Sequence, residues 1–377
     1  MGMIKTIERS GKRGLMRVLG AFLHAPRHTS DEVRAMSFDK ILVIRQHHQM
    51  GDMLLAVPAL RAIKERYPGA RLDVVSSTLN RDVMRICPYV DRVFTYDKRN
   101  LAGHLRLVSA LRSERYALAI VMHTVSFSFT TLALAVLSGA RVRIGSTSPA
   151  VGDRLTGSYL SLTLPLPSEQ ELATMNEAEH NLYPLRAVGI TTDNLAPEIA
   201  PGGESERWAE GTAQRCWPAG NVKLAVHPGA GKSENIWPAE RFAAVVGRLA
   251  SRKGVSVAVV EGPRDRGTVE EFVRGCGGVT VEVIRGRSIG DVAALLRRAD
   301  LVLCNDTGVM HVAAAAGATT LAVFGPTDPA RWAPRSERLS IVRAPGGRLA
   351  DLSIDPVAER VLQILGLVTT AEGYVER

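Results

Sequence analysis

The chain holds only four cysteines, Cys87, Cys216, Cys276 and Cys304, and no two of them form a C-x-x-C. That scatter excludes a zinc motif and a disulfide framework, so a reducing, cytoplasmic setting and no metal are expected. Aromatic residues make up 5% of 377 positions and are not interleaved with basic ones, so no nucleic-acid partner is expected. The second half lacks a G-x-G-x-x-G, which removes the dinucleotide-cofactor fingerprint. A Walker sequence is absent too, because Gly231-Lys232-Ser233 has no correctly spaced upstream glycine. Residues 116–140 contain no Asp, Glu, Lys or Arg, yet His123, Thr124, Ser126 and Ser128 interrupt the apolar character. This stretch reads as strand, loop and buried helix rather than a membrane span.

What is present is a globular composition, 46% hydrophobic and 23% charged, long enough for two domains. Basic residues outnumber acidic ones 47 to 38, a net +9 that favours anionic partners. Short apolar runs alternate with helical patterns: 40–45, 72–75, 93–96, 117–122 and 142–145 in the first half, then 223–226, 256–260, 281–284, 299–303 and 320–324 in the second. Such alternation predicts parallel sheets. Pro197, Pro201, Gly202, Gly203, Pro218 and Gly220 mark a linker between the halves. The expected organisation is a basic extension over 1–37, a Rossmann-like domain over 38–195 and a linker over 196–220. A second Rossmann-like domain follows over 221–350, then a terminal helical segment over 351–377. The fold class is α/β, two such domains with parallel sheets facing across a cleft.

The candidate chemistry gathers at strand-to-helix turns, where ligands bind in open α/β sheets. Asn305-Asp306-Thr307-Gly308 stands between an apolar strand and an Ala-rich helix closed by Gly317. Asp306 and Thr307 are good N-caps, and the helix start favours an anion. Gly325-Pro326-Thr327-Asp328-Pro329 supplies a second polar turn immediately after the next strand, and the two side by side suit phosphates. His227-Pro228-Gly229-Ala230-Gly231 is a glycine-rich loop that can expose backbone N–H groups as an anion nest, with Lys232 adding a point charge. His311, inside the helix, is either a structural histidine or a phosphate or ribose contact. In the first half, Gly51 marks a tight turn and Asp52 starts a helix predicted over 53–67 with Pro58 in its first turns. Asp52 is open to two readings, a helix cap or a general base desolvated in the cleft, with His47 and His48 as rival bases.

Taken together, these residues resemble the ADP-heptose:lipopolysaccharide heptosyltransferases of glycosyltransferase family 9. The resemblance rests on Met-Gly-Asp-Met-Leu-Leu-Ala-Val-Pro-Ala-Leu at 50–60, His-Pro-Gly-Ala at 227–230 with Trp-Pro-Ala-Glu-Arg-Phe at 237–242, Asn305 through Gly317, and Phe324 through Pro329. It implies a GT-B fold, with the acceptor on the first domain, the nucleotide sugar on the second, and the terminal helix over 351–377 packing back on the first domain. It further implies transfer with inversion and no required metal or other cofactor, ADP-heptose being the co-substrate and a lipid-linked glycan the acceptor. On the resemblance, Asp52 is the base, and His227, Gly229, Ala230, Lys232, Asn235, Asp306, Thr307, Gly308 and His311 bind the donor. Arg45, His47, His48, Gly51 and His123 are the acceptor-side candidates. Asn235 stands where the family carries a lysine two residues before Trp-Pro, and the loop before Gly51 is one residue longer. Glu179-His180-Asn181 replaces a Glu-Arg-Asn. Alternatives on this fold are another nucleotide-sugar donor, a nucleotide-sugar epimerase, or a non-catalytic nucleotide- or glycan-binding relative.

Between Met1 and His28, Lys5, Arg9, Lys12, Arg13, Arg17 and Arg27 face only Glu8, and residues 15–23 have the apolar spacing of an amphipathic helix. Two readings are open, a basic helix in peripheral contact with an anionic membrane, on the cytoplasmic face of an inner membrane, and a frayed extension. Co-sedimentation with anionic vesicles is expected to fall when residues 1–37 are removed, and identical partitioning of the two forms would refute the contact.

Overall fold

The computed structural model describes residues 25–46, 49–122, 128–146 and 157–367. The chain forms two compact units, Met1–Leu195 and Ala196–Arg377. The predicted amphipathic helix over 15–23, together with His47, His48 and His123, lies outside the described residues. Among those described, no helix is long and apolar enough to cross a membrane.

The first unit runs α1 (Ser30–Ala35), β1 (Lys40–Ile44), α2 (Met50–Leu54), α3 (Val57–Arg66), β2 (Arg71–Ser77), α4 (Arg81–Arg85) and β3 (Arg92–Tyr96). It continues through α5 (Leu101–Glu114), β4 (Leu118–Val121), α6 (Phe129–Leu137), β5 (Val142–Gly145), β6 (Leu162–Thr163), α7 (Glu169–Thr174) and α8 (Glu177–Arg186). Its strands pair in the order β3-β2-β1-β4-β5-β6 and are parallel throughout. Continuous apolar runs such as Ile41–Ile44 are buried on both faces, as a helix-covered parallel sheet requires.

The second unit opens with α9 (Gly203–Cys216), β7 (Val222–His227), α10 (Ala239–Ala250), β8 (Val255–Glu261), α11 (Arg266–Gly275), β9 (Thr280–Arg285) and α12 (Ile289–Leu296). Then come β10 (Leu301–Asn305), α13 (Gly308–Ala315), β11 (Thr320–Phe324), α14 (Pro329–Trp332), β12 (Leu339–Arg343) and α15 (Asp355–Ile364). The order β12-β11-β10-β7-β8-β9, again all parallel, is the first sheet's order read from its other edge. Strand order therefore reverses between β1 and β4 in one unit and between β7 and β10 in the other. Ligands of such sheets bind beyond the strand carboxyl ends at this reversal.

Three segments differ from the sequence expectation. The helix expected over 53–67 is two helices, α2 and α3, with Pro58 in the first turn of the second. Proline has no N–H for the carbonyl four residues back, so a continuous helix would leave Leu54 without its donor. The stretch 196–220 is not merely a connection: α9 packs on α12, where Glu206 meets Arg297 at 2.8 Å and Arg298 at 2.7 Å. Finally, α15 belongs to the second unit's core, which gathers Val357, Ala358 and Val361 with Trp237, Phe242 and the β7 and β8 valines.

Phe242 anchors that core, fully buried and edge-on to Trp237 at 5.0 Å between ring centroids. Phe242→Ala is expected to cost about 3–5 kcal/mol of unfolding free energy, read by urea denaturation. A loss under about 1 kcal/mol would mean that the cavity collapses freely.

Candidate functional site

In the first unit, β1 delivers Arg45 to the sheet's carboxyl edge and the chain turns into α2. Gln49 occupies the N-cap position without a side-chain bond, and Asp52 is the third helical residue. Asp52 is therefore not the cap, and Gly51, expected at a tight turn, is helical with a negative φ that any residue could adopt. Asp52 is 7% exposed and Arg45 1%. The Arg45 Nη2 donates to the Asp52 carbonyl oxygen at 3.0 Å. Burial pulls the Arg45 pKa below its usual range, opposed by the charges of Glu177 and Asp52.

In the second unit, β7 ends on His227 and β10, its neighbour, ends on Asn305. The Asn305 side chain is fully buried and makes three bonds. Its Nδ2 donates to the carbonyls of Pro228 at 2.8 Å and Gly229 at 3.4 Å, and its Oδ1 accepts the Trp237 N–H at 3.1 Å. The start of the glycine-rich loop and the Trp237 backbone beyond it are thus fastened by one residue of the neighbouring strand. His227 turns away from this loop. Its Nδ1 donates to the Val260 carbonyl at 2.9 Å, and its Nε2 lies 3.8 Å from Asp265 Oδ2. Burial holds its pKa below the usual histidine range, with Asp265 opposing. The Asp265 carboxylate fills the space beside Gly229, where a Cβ would come within 2.3 Å of Asp265 Cγ, so any side chain there would have to displace that carboxylate.

Asp306 follows Asn305 and is the centre of the second site. Its Oδ2 accepts from Thr327 Oγ1 at 2.6 Å and from Asn235 Nδ2 at 3.2 Å. Asn235, 7% exposed, also donates to the Asp306 backbone oxygen at 3.4 Å. Burial raises the Asp306 pKa, and the Thr327 bond and the Lys232 charge pull it back down. The Lys232 side chain is itself exposed. Thr307 takes the N-cap position of α13 but makes no side-chain cap, and Asp306 caps nothing either because its carboxylate faces Thr327 and Asn235. The N–H groups at the start of α13 are therefore not taken by a cap, an arrangement suited to an anion. Gly308 is the first residue of this helix, and His311 is buried one turn in.

The structure thus brings together Arg45 and Asp52 in one unit. In the other it joins Asn235, Asp306, Thr307, Gly308 and the charge of Lys232, with Gly229 and Ala230 on the loop that Asn305 holds. His227 faces Asp265 instead. The sequence places the turn after β11 beside this site without assigning Thr327, names Asn305 within its motif without giving it a role, and does not single out Asp265. Gly325-Pro326-Thr327-Asp328-Pro329 was the available signal for Thr327. Asn305 and Asp265 act through strand neighbours and loop approach, which periodicity does not encode.

Residues 104–361 match the family model described as glycosyltransferase family 9 (heptosyltransferase). Lipopolysaccharide heptosyltransferase 3 of Escherichia coli is 24% identical over 299 residues, covering 77% of this chain and 84% of that protein. Among solved structures, a glycosyl transferase family 9 protein from Veillonella parvula superposes with a TM-score of 0.76 at 21% identity, covering 88% of this chain and 99% of the other. Escherichia coli heptosyltransferase WaaC with ADP gives a TM-score of 0.65 at 21% identity, covering 86% and 97%. The architecture, two parallel α/β units, is therefore the GT-B-like fold of those structures.

A buried carboxyl with a raised pKa lets the folded state hold a proton more tightly than the unfolded chain does. Its contribution to stability therefore falls as pH rises from the unfolded value, about 3.9, through the folded one. An asparagine at 306 can still accept from Thr327 and Asn235 but never ionises. Asp306→Asn is expected to gain stability relative to the unmodified protein as pH rises from about 4 to about 7, followed by thermal unfolding. A stability difference independent of pH would contradict the burial of this charge.

Proposed function

Because the chain belongs to glycosyltransferase family 9, the heptosyltransferases, and is a glycosyltransferase, we propose that it transfers heptose from ADP-heptose onto a lipopolysaccharide core or similar lipid-linked glycan. The observation that carries the donor reading is the uncapped start of α13 beside Asp306, Asn235 and Lys232 at the strand-order reversal of the second unit. Helix-start N–H groups, the loop at Gly229 and Ala230 and the Lys232 ammonium suit a diphosphate. Ionised Asp306 can only accept hydrogen bonds, so it serves a hydroxyl of the sugar or ribose rather than a phosphate oxygen. His311 and Thr307 border the same helix start. The match to a relative solved with ADP supports an adenine nucleotide.

In the proposed reaction, the acceptor hydroxyl loses its proton to Asp52 as its oxygen attacks the anomeric carbon. The bond from that carbon to the diphosphate oxygen breaks, and its electron pair leaves with ADP. Attack from the face opposite the leaving group inverts the anomeric centre. Charge grows on the diphosphate, where oriented N–H groups and Lys232 stabilise it. No cofactor or metal enters this scheme. The acceptor's lipid places the reaction at the cytoplasmic face of a membrane, which a basic extension over 1–37 would favour.

Calorimetry with ADP, UDP and GDP, then ADP-heptose, tests the donor. Tight binding of ADP and ADP-heptose is expected, and preference for UDP or GDP would keep the reaction class but discard heptose. Asp52→Asn is expected to lower kcat at least ~1,000-fold while leaving ADP affinity within about twofold. Retained turnover would remove Asp52 as the base.

A further inference from the structure

Besides the Leu54 carbonyl, which Pro58 cannot serve, the break between α2 and α3 leaves two more carbonyls without their helical donors. The Ala56 N–H, which would serve Asp52, bonds Met53 O at 3.2 Å. The Ala59 N–H, which would serve Leu55, bonds Ala56 O at 3.0 Å. Both carbonyls are supplied by buried side chains from elsewhere in the first unit. Arg45 Nη2 bonds Asp52 O at 3.0 Å, and Asn181 Nδ2 bonds Leu55 O at 3.3 Å. Asn181 is 2% exposed and also donates to Glu177 O at 2.7 Å, which fixes its amide on α8.

Arg45 is an expensive way to satisfy one carbonyl. Its Nε and Nη1 are buried and donate to no partner among the described residues. A buried cation with unused donors is costly, and an apolar side chain would be cheaper for folding alone. Its charge is balanced by Glu177, which is 1% exposed and lies 3.2 Å from His180 Nδ1. Helix α2 spans only Met50–Leu54 and has no side-chain cap, so it cannot hold its own geometry. Burial of Met53 and Leu54 and a bond from Asn80 Nδ2 to Gln49 O at 3.3 Å hold its body and start, and the pair of bonds to Asp52 O and Leu55 O holds its end at the break.

We infer that Arg45 and Asn181 are positioning residues, which clamp the carbonyls of Asp52 and Leu55 and so fix the direction of the Asp52 carboxylate. Glu177 and His180 keep the Arg45 charge buried in place. This rests on the reading of Asp52 as the base. The clamp also gives a purpose to Glu179-His180-Asn181, which the donor chemistry leaves unused: its asparagine holds the break, its histidine steadies Glu177, and Glu179 closes the capping box that starts α8.

The test compares Arg45→Met, Arg45→Lys, Asn181→Leu and Asp52→Asn with Leu111→Ala, a core change in α5 of the same unit. Turnover is measured well below every melting temperature. Arg45→Met and Asn181→Leu are expected to lower kcat at least tenfold with the donor KM and ADP affinity within twofold. Arg45→Lys, which keeps a charge and one donor, should recover part of the loss, and Leu111→Ala should keep kcat. Amide exchange over 53–56, read by mass spectrometry, should quicken in Arg45→Lys and Asn181→Leu but not in Leu111→Ala. This second readout serves if Arg45→Met does not fold. A kcat in the clamp variants no lower than in Leu111→Ala, or unchanged exchange over 53–56, overturns the inference. If Asp52→Asn is inactive while the clamp variants keep kcat, the clamp alone fails. If Asp52→Asn keeps kcat, the base assignment fails and takes the clamp's purpose with it.

Discussion

Asn305 is the interaction on which the second unit's site depends. One buried amide holds the loop after β7 by two carbonyls and the approach to α10 by the Trp237 N–H. Trp237 in turn donates from its indole to Leu352 O at 3.0 Å, just before α15. A single residue at the end of β10 thereby ties three otherwise separate segments to the strand that leads into Asp306. No apolar residue could do this, because each bond uses an amide donor or acceptor inside a buried core. The loop is consequently positioned by the sheet itself, and the absence of a side chain at Gly229 leaves room for the Asp265 carboxylate.

Much of this was legible in the sequence because buried parallel strands are written as uninterrupted apolar runs. Val142–Gly145 and Thr320–Phe324 are read from sequence with the bounds they have in the structure. The turn at Asn305-Asp306-Thr307-Gly308 was found by its setting between strand and helix. Other features were written in long-range geometry. Pro58 reads as tolerable within one helix, yet the missing N–H divides that helix, and its first part begins at Met50, which makes Asp52 its third residue. Proline and glycine around 196–220 signalled a connection, but Glu206 and its two arginines hold a helix there by contacts 91 and 92 residues away. Asn235 looked like a departure from a lysine-bearing pattern. Its amide bonds to Asp306, which a lysine could replace only as a point charge.

The two units share a strand order but place different groups at the reversal. Beyond β1, a cation is buried under an acid's backbone, and the acid is carried on a helix too short to stand alone. Beyond β10, the acid itself is buried, and the helix that follows is left uncapped. The first arrangement fixes the direction of one carboxylate. The second leaves N–H groups and a carboxylate together, able to meet phosphate and hydroxyl at once. Strand order fixes where a ligand can bind, and the residues at the turns decide which chemistry it meets.

A comparison within the molecule separates structural from functional burial of acid. Asp73 is fully buried in β2, and both of its oxygens are used: Arg71 bonds Oδ1 at 3.0 Å and Oδ2 at 2.7 Å, and the Tyr116 hydroxyl adds a bond to Oδ2 at 2.7 Å. That carboxylate needs nothing further, and its partners explain it completely. At Asp306 both side-chain donors converge on Oδ2, and no described side chain donates to Oδ1. Two bonds on one oxygen orient the carboxylate without satisfying it. A residue held this firmly, with burial raising its pKa and half its acceptor capacity unspent, is organised toward a donor that the protein itself does not provide. A sugar or ribose hydroxyl is such a donor, and the neighbouring uncapped helix start suits the diphosphate that the proposed donor would bring with it.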